Sequence, residues 1–145
     1  MPPTQENLVK KDPQKAIHYA KKGCDMNTAT SPCSLLGFFY KDGLGLAQYK
    51  DYQKALEYWH KSCEMKSGAN ESCLEAGDIY LYGGVWERND DDLGEKLVPF
   101  VKKDELKAMY YFERGNVCDG FLPSYCEMYR KLKKKHSKGA KSIKK

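Results

Sequence analysis

Apolar residues recur along this chain at the spacing of a helix face, and they do so in phrases that nearly repeat. Residues 12–24 read DPQKAIHYAKKGC, residues 51–63 DYQKALEYWHKSC and, more faintly, residues 104–116 DELKAMYYFERGN. Ile17, Ala20 and Cys24 fall at i, i+3 and i+7 in the first phrase, as do Leu56, Trp59 and Cys63 in the second; that spacing lines one side of a helix. Each phrase opens on an aspartate (Asp12, Asp51, Asp104) placed to accept from the orphan amides of a first turn. Pro13 takes the first helical position, where its missing N–H costs nothing. The pairs Lys15/Ala16, Lys54/Ala55 and Lys107/Ala108 follow, and Tyr19, Tyr58 and Tyr111 come three residues after each alanine. The pattern predicts three equivalent helices.

A second helix follows each of them. CSLLGFFYKDG from Cys33 and CLEAGDIYLYG from Cys73 share their cysteine, Gly37/Gly77, Tyr40/Tyr80 and Gly43/Gly83. A glycine inside a helix costs about 1 kcal/mol relative to alanine, so two at one register predict close helix–helix approach. Gly43 and Gly83 read as helix C-caps. The unit is a helical hairpin of 39 residues, counted from Lys15 to Lys54. One such hairpin cannot hide its apolar face, and stacked hairpins can.

The next interval, Lys54 to Lys107, is 53 residues, about 14 longer. We therefore expect an N-terminal extension at 1–11, repeats at about 12–50, 51–84 and 104–130, an insertion at 85–103, and a basic tail at 131–145. The third unit is degenerate: Arg130 and Lys133 stand where Gly37 and Tyr40 stand in the first, and its second helix is expected to dissolve into lysines.

The cysteines come as three neighbours, Cys24/Cys33, Cys63/Cys73 and Cys118/Cys126. In the first two units one cysteine closes the first helix and the other opens the second, within the reach a disulfide needs. Asn116 fills the slot of Cys63 in the third, with Cys118 two residues later, so the third pairing is less regular. Zinc would want four ligands, and there is no Cys-x-x-Cys; His60 and Cys63 alone make a His/Cys pair at helical spacing. Free buried thiols are the remaining alternative. Paired cysteines are favoured, and they imply an oxidising compartment.

Charge divides the chain. Residues 130–145 carry nine basic and no acidic residues, leaving 16 basic and 20 acidic elsewhere. No apolar run is long enough to span a bilayer, and no secretory signal opens the sequence. A processed secreted chain and a protein of the mitochondrial intermembrane space both fit; the initial methionine favours the second.

These residues resemble Sel1-like repeats, relatives of tetratricopeptide repeats: Lys-Ala-x-x-Tyr, a cysteine at the helix end, then Cys-x-x-x-Gly-x-x-Tyr-x-x-Gly. The cysteine-paired form is similar to two branches, the bacterial Helicobacter cysteine-rich proteins and the mitochondrial cytochrome c oxidase assembly factor 7. The resemblance covers about residues 12–130 and leaves 85–103 without a counterpart. It implies an all-α fold, a right-handed solenoid of three α-hairpins each stapled by a disulfide, and a scaffolding role. Haem binding and β-lactam hydrolysis, associated with one branch each, cannot be carried over residue by residue.

Candidate chemistry is sparse. His18 and His60 are rim positions, and Asp90-Asp91-Asp92 lacks the alternating spacing of a calcium loop. No catalytic residue, metal ligand or cofactor is expected. Partner contacts are expected from the insertion, through Trp86 and Phe100, and from the tail, through Lys133, Lys134 and Lys135. Leu97, Val98 and Val101 add apolar character to what ought to be a surface loop, and packing on the chain itself is favoured for part of it. Without aromatics the tail has nothing to stack on bases; anionic lipid or an acidic protein suits it, not nucleic acid. The favoured reading is a non-enzymatic scaffold serving an inner-membrane respiratory complex, cytochrome c oxidase or a supercomplex, as accessory subunit or assembly factor. The alternative is a secreted bacterial cysteine-rich protein with weak β-lactam-binding or hydrolase activity.

Overall fold

The computed structural model describes residues 12–26, 31–43, 47–65, 70–88, 94–119 and 123–143. In chain order these form α1 (Pro13–Asp25), α2 (Ser31–Asp42), a short 3-10 helix (Ala47–Tyr49), α3 (Tyr52–Glu64) and α4 (Asn70–Tyr82). Then come β1 (Gly84–Arg88), β2 (Glu95–Pro99), α5 (Glu105–Arg114) and α6 (Pro123–Ile143). The fold is an all-α array of repeated helical hairpins into which one β-hairpin is set. The chain divides into two compact units, Met1–Ser72 and Cys73–Lys145.

Local chemistry explains the helix starts. The side chains of Asp12, Asp51 and Asp104 accept from the amides of Lys15, Lys54 and Lys107 at 3.0, 3.1 and 3.0 Å, which satisfies one orphan donor of each first turn. Helix α2 ends at Gly43, φ +61°, and α4 at Gly83, φ +80°, a left-handed turn that a Cβ would strain.

In the first unit, α3 packs on α2 by lowering its largest side chain onto a bare backbone. Trp59 is fully buried, and a Cβ added at Gly37 would clash with its indole ring. Phe38 meets the same ring edge-on at 5.2 Å. The indole N–H is buried with no hydrogen-bond partner, so shape and not polarity seats this residue. In the second unit Phe112 does the same against α4: it is fully buried, and a Cβ at Gly77 would come within 2.5 Å of its Cε1. Around it lie Ala108, Val117 and Leu132, with Leu74, Met128 and Tyr129 partly buried against them.

Cys24 and Cys33 are bonded, Cα atoms 4.8 Å apart, and so are Cys118 and Cys126, at 4.7 Å. Cys63 and Cys73 are disulfide-bonded too, leaving no free thiol. The irregular third pair therefore closes despite Asn116, which takes up the extra length of the turn at φ +52°.

Two expectations give way. The insertion is not a plain loop: β1 and β2 pair antiparallel with Val85 opposite Val98 and Trp86 opposite Leu97. β-branched and aromatic residues favour a pleated, half-buried surface, and the hairpin is tied back by Phe100 and Val101, whose amides donate to the Gly83 carbonyl. Val85 is buried and Trp86 lies edge-on to Tyr82 at 5.6 Å, so the segment packs on its own unit. Nor does the last helix dissolve: α6 runs unbroken from Pro123 to Ile143 through the lysines. Lysine is a good helix former, Leu132 still points into the core at 6 % exposure, and Lys135 donates to Glu105 at 2.7 Å.

Two measurements follow from this architecture. Replacing Cys24 and Cys33 together by serine should lower unfolding free energy in urea by about 2–3 kcal/mol, the entropy of a loop of this size. Tyr125 donates to Asp78 Oδ2 at 2.6 Å, and burial first, then that carboxylate, hold its phenol well above the ordinary value of 10.0. A raised phenol contributes stability fully present below pH 10 and lost as pH rises through the folded value. Tyr125→Phe should therefore cost about 1–3 kcal/mol at pH 7 and flatten the decline in stability above pH 10, read from urea melts across that range.

Candidate functional site

The repeated motif builds the same small site in each unit. In the first, Tyr40 stacks on Tyr58, ring planes 4° apart and centroids 5.7 Å apart, while Lys54 Nζ lies 5.3 Å from the Tyr40 ring centre. In the second, Tyr80 stacks on Tyr111 at 5.8 Å and 4°, and Lys107 Nζ lies 5.0 Å from Tyr80. The amides of Asp51 and Asp104 donate to the carbonyls of Tyr40 and Tyr80, both at 2.8 Å. The motif's aspartate, lysine and two tyrosines thus form one knot: a cap, a backbone tie, a ring stack and a cation over the ring. Burial raises the Tyr58 phenol above its ordinary value, with nearby Lys21 opposing.

Beside each knot opens a cleft. That of the first unit is about 310 Å³ and is lined by Tyr40, Tyr49, Lys50, Asp51 and Lys54. That of the second is about 980 Å³, lined by Tyr80, Lys102, Lys103, Leu106, Lys107 and His136 among others. Its two acidic residues are engaged: Asp104 caps α5, and Glu105 accepts from Lys135, with His136 Nε2 at 3.6 Å. The Lys135 hydrogen bond is the chief cause that holds the Glu105 carboxyl below its ordinary value. The rest of the lining is three lysines and His136, the Tyr80 ring and the apolar Leu81, Val101 and Leu106, suited to binding a group with anionic and apolar parts rather than to covalent chemistry.

The sequence-predicted site residues fall elsewhere. Trp86 is 41 % exposed on β1 and Phe100 half-buried just after β2. Lys133, Lys134 and Lys135 are exposed on α6; Lys133 Nζ lies 5.9 Å from the Tyr129 ring, and Lys135 is held by Glu105. The structure thus anchors Trp86 to Tyr82 and sets the lysines along a helix. His60 cannot activate Cys63, which is disulfide-bonded; its Nδ1 lies 4.0 Å from Glu64. Among the described residues no three His, Cys, Asp or Glu side chains converge as metal ligands, and no helix is long and apolar enough to cross a membrane.

Sequence reasoning missed the larger cleft, because it draws on α4, the end of the β-hairpin, α5 and the far end of α6. One signal was present: the third phrase has Leu106 and Tyr110 where the second has Gln53 and Glu57.

Neither the curated proteins nor the solved structures gave a match. The Sel1 repeat family model matches residues 5–28, 33–67 and 93–115, more than half of the chain. Its repeats generally mediate protein–protein interaction. With the hairpins, the capped first helices and the glycine-seated aromatics already in view, the chain belongs to the Sel1 repeat family.

Proposed function

We propose that this protein is a non-catalytic interaction scaffold of the mitochondrial intermembrane space, serving a respiratory-chain complex as accessory subunit or assembly factor. The observation that carries the reading is the conversion of all six cysteines to disulfides within repeats of an interaction family. Disulfides persist in oxidising compartments, and hairpins cross-linked in this way meet a partner with little conformational entropy to lose. Partner contact falls to Trp86 and Phe100 on and beside the β-hairpin, and to Lys133, Lys134 and Lys135 on α6. Cytochrome c oxidase, or a supercomplex containing it, is the complex favoured, with anionic lipid beside it as a further contact for the lysines.

The lysines are the place to test it, but not by cutting the chain at residue 131, which would remove buried Leu132. Lys133→Glu with Lys134→Glu leaves the core untouched. Its thermal midpoint should match that of the unaltered chain. Its co-purification with inner-membrane respiratory complexes should fall, with the difference largest at low salt, where exposed charges are least screened. Association unchanged by the reversal would remove the lysines from the interface. A fully reduced protein in cytosolic fractions would remove the compartment. Turnover of a chromogenic β-lactam, lost on a point substitution, would replace the scaffold by a hydrolase.

A further inference from the structure

Leu106 is 62 % exposed and Tyr110, one turn on, 47 %. The equivalent positions of α1 are Gln14 and His18, and those of α3 are Gln53 and Glu57, all exposed. The repeat thus keeps these positions in water; Tyr110 meets the Tyr111 ring edge-on at 5.3 Å, and Leu106 stands where both other repeats carry a glutamine. Apolar surface in a recess rimmed by charged residues marks an interaction site.

The surroundings specify the chemistry of what binds there. Leu106 lines the 980 Å³ cleft together with Lys102, Lys103 and Lys107. Among the described residues Lys102 and Lys103 make no ion pair, and the cleft's own carboxylates are committed to a cap and to Lys135. In the smaller cleft of the first unit, Gln48 and Tyr49 precede the lysine and aspartate where the second unit has Val101 and Lys102. The inserted hairpin supplies this difference: its return to the Gly83 carbonyl through Phe100 and Val101 brings Lys102 to the cleft beside Lys103, the counterpart of Lys50.

We propose that this cleft binds an acidic segment of a partner protein, one apolar side chain against Leu106 and flanking carboxylates on Lys102, Lys103 and Lys107. The assignment rests on the scaffold reading and adds to it a site separate from Trp86, Phe100 and the α6 lysines. An apolar anchor ringed by opposite charge gives both affinity and orientation. A recess suits a protruding segment better than it suits a flat lipid surface.

The test is a titration of the oxidised full-length chain, followed by backbone amide shifts, with a short synthetic peptide carrying a central leucine between glutamates. Controls are the same peptide with serine for leucine or glutamine for glutamate, and phosphatidylglycerol vesicles. Shifts should centre on residues 101–107 and His136 and should vanish with the glutamine peptide. Leu106→Gln, which installs the residue that Gln53 supplies at this position, should weaken binding roughly tenfold or more. Lys102→Glu with Lys103→Glu should abolish it, and both variants should melt like the unaltered chain. No binding, shifts confined to α6, or binding indifferent to Leu106→Gln overturns the proposal. Vesicle binding that needs Lys102 and Lys103, with no peptide binding, overturns it in favour of a membrane surface. The scaffold reading fails separately, when the full chain associates with no partner; it survives if the full chain keeps its partner while the cleft ignores the peptide.

Discussion

A large ring seated on a helix that lacks a side chain at that point is the contact on which the other features depend. Trp59 over Gly37 and Phe112 over Gly77 are the same contact made twice, at the same register of successive repeats. Close approach of two helices needs glycine at the crossing and something broad and flat to fill the volume opposite. Indole and phenyl differ in size and in their polar edge, yet each occupies the position. What recurs is the shape. The glycine's cost to its helix, about 1 kcal/mol, is smaller than the gain from fully burying an aromatic side chain, about 1.5–3 kcal/mol.

With that contact fixed, the rest of the motif has little freedom. The helix that brings the aromatic also brings its N-cap aspartate to the preceding tyrosine's carbonyl, its lysine over that tyrosine's ring, and its own tyrosine into a parallel stack. The clefts beside these knots are consequences of the same geometry, and they diverge in what the connection before each aspartate supplies, in Leu106 and in the His136 that α6 adds to the second. The first unit supplies a 3-10 turn ending at Tyr49. The second supplies a β-hairpin and, in Lys102, one lysine more than the first. The array is thus conserved in its interior contacts and individual at its edge, which is where an interaction protein acquires a particular partner.

Most of the helical array was legible in the sequence because it is written in residues whose roles are local or periodic. Asp51 caps, Gly43 turns, and Gly37 and Gly77 announce close approach without naming what approaches. The aromatic partner was harder to see, since Trp59 and Phe112 read as ordinary core residues until a glycine is found beneath them. The β-hairpin was obscured because charged Glu87 and Lys96 interrupt short apolar stretches too brief to show an alternation. Helix α6 was misread because its charge was given more weight than its propensity: Leu132 continues the buried stripe through the lysines. The larger cleft could not be read along the chain at all, and only comparing Leu106 and Tyr110 with their counterparts in the other repeats pointed to it.

A double-mutant cycle on Gly37 and Trp59, read by urea unfolding at neutral pH, tests the seating contact most directly. Gly37→Ala alone should destabilise by about 1–3 kcal/mol through overpacking, although alanine is the better helix former. Trp59→Leu alone should also destabilise, through lost volume. Together the methyl would enter the space the indole vacates, and the double variant should be more stable than the sum of the two by about 1 kcal/mol or more. Effects that add to within about 0.5 kcal/mol, or a Gly37→Ala chain more stable than the original, would contradict the account.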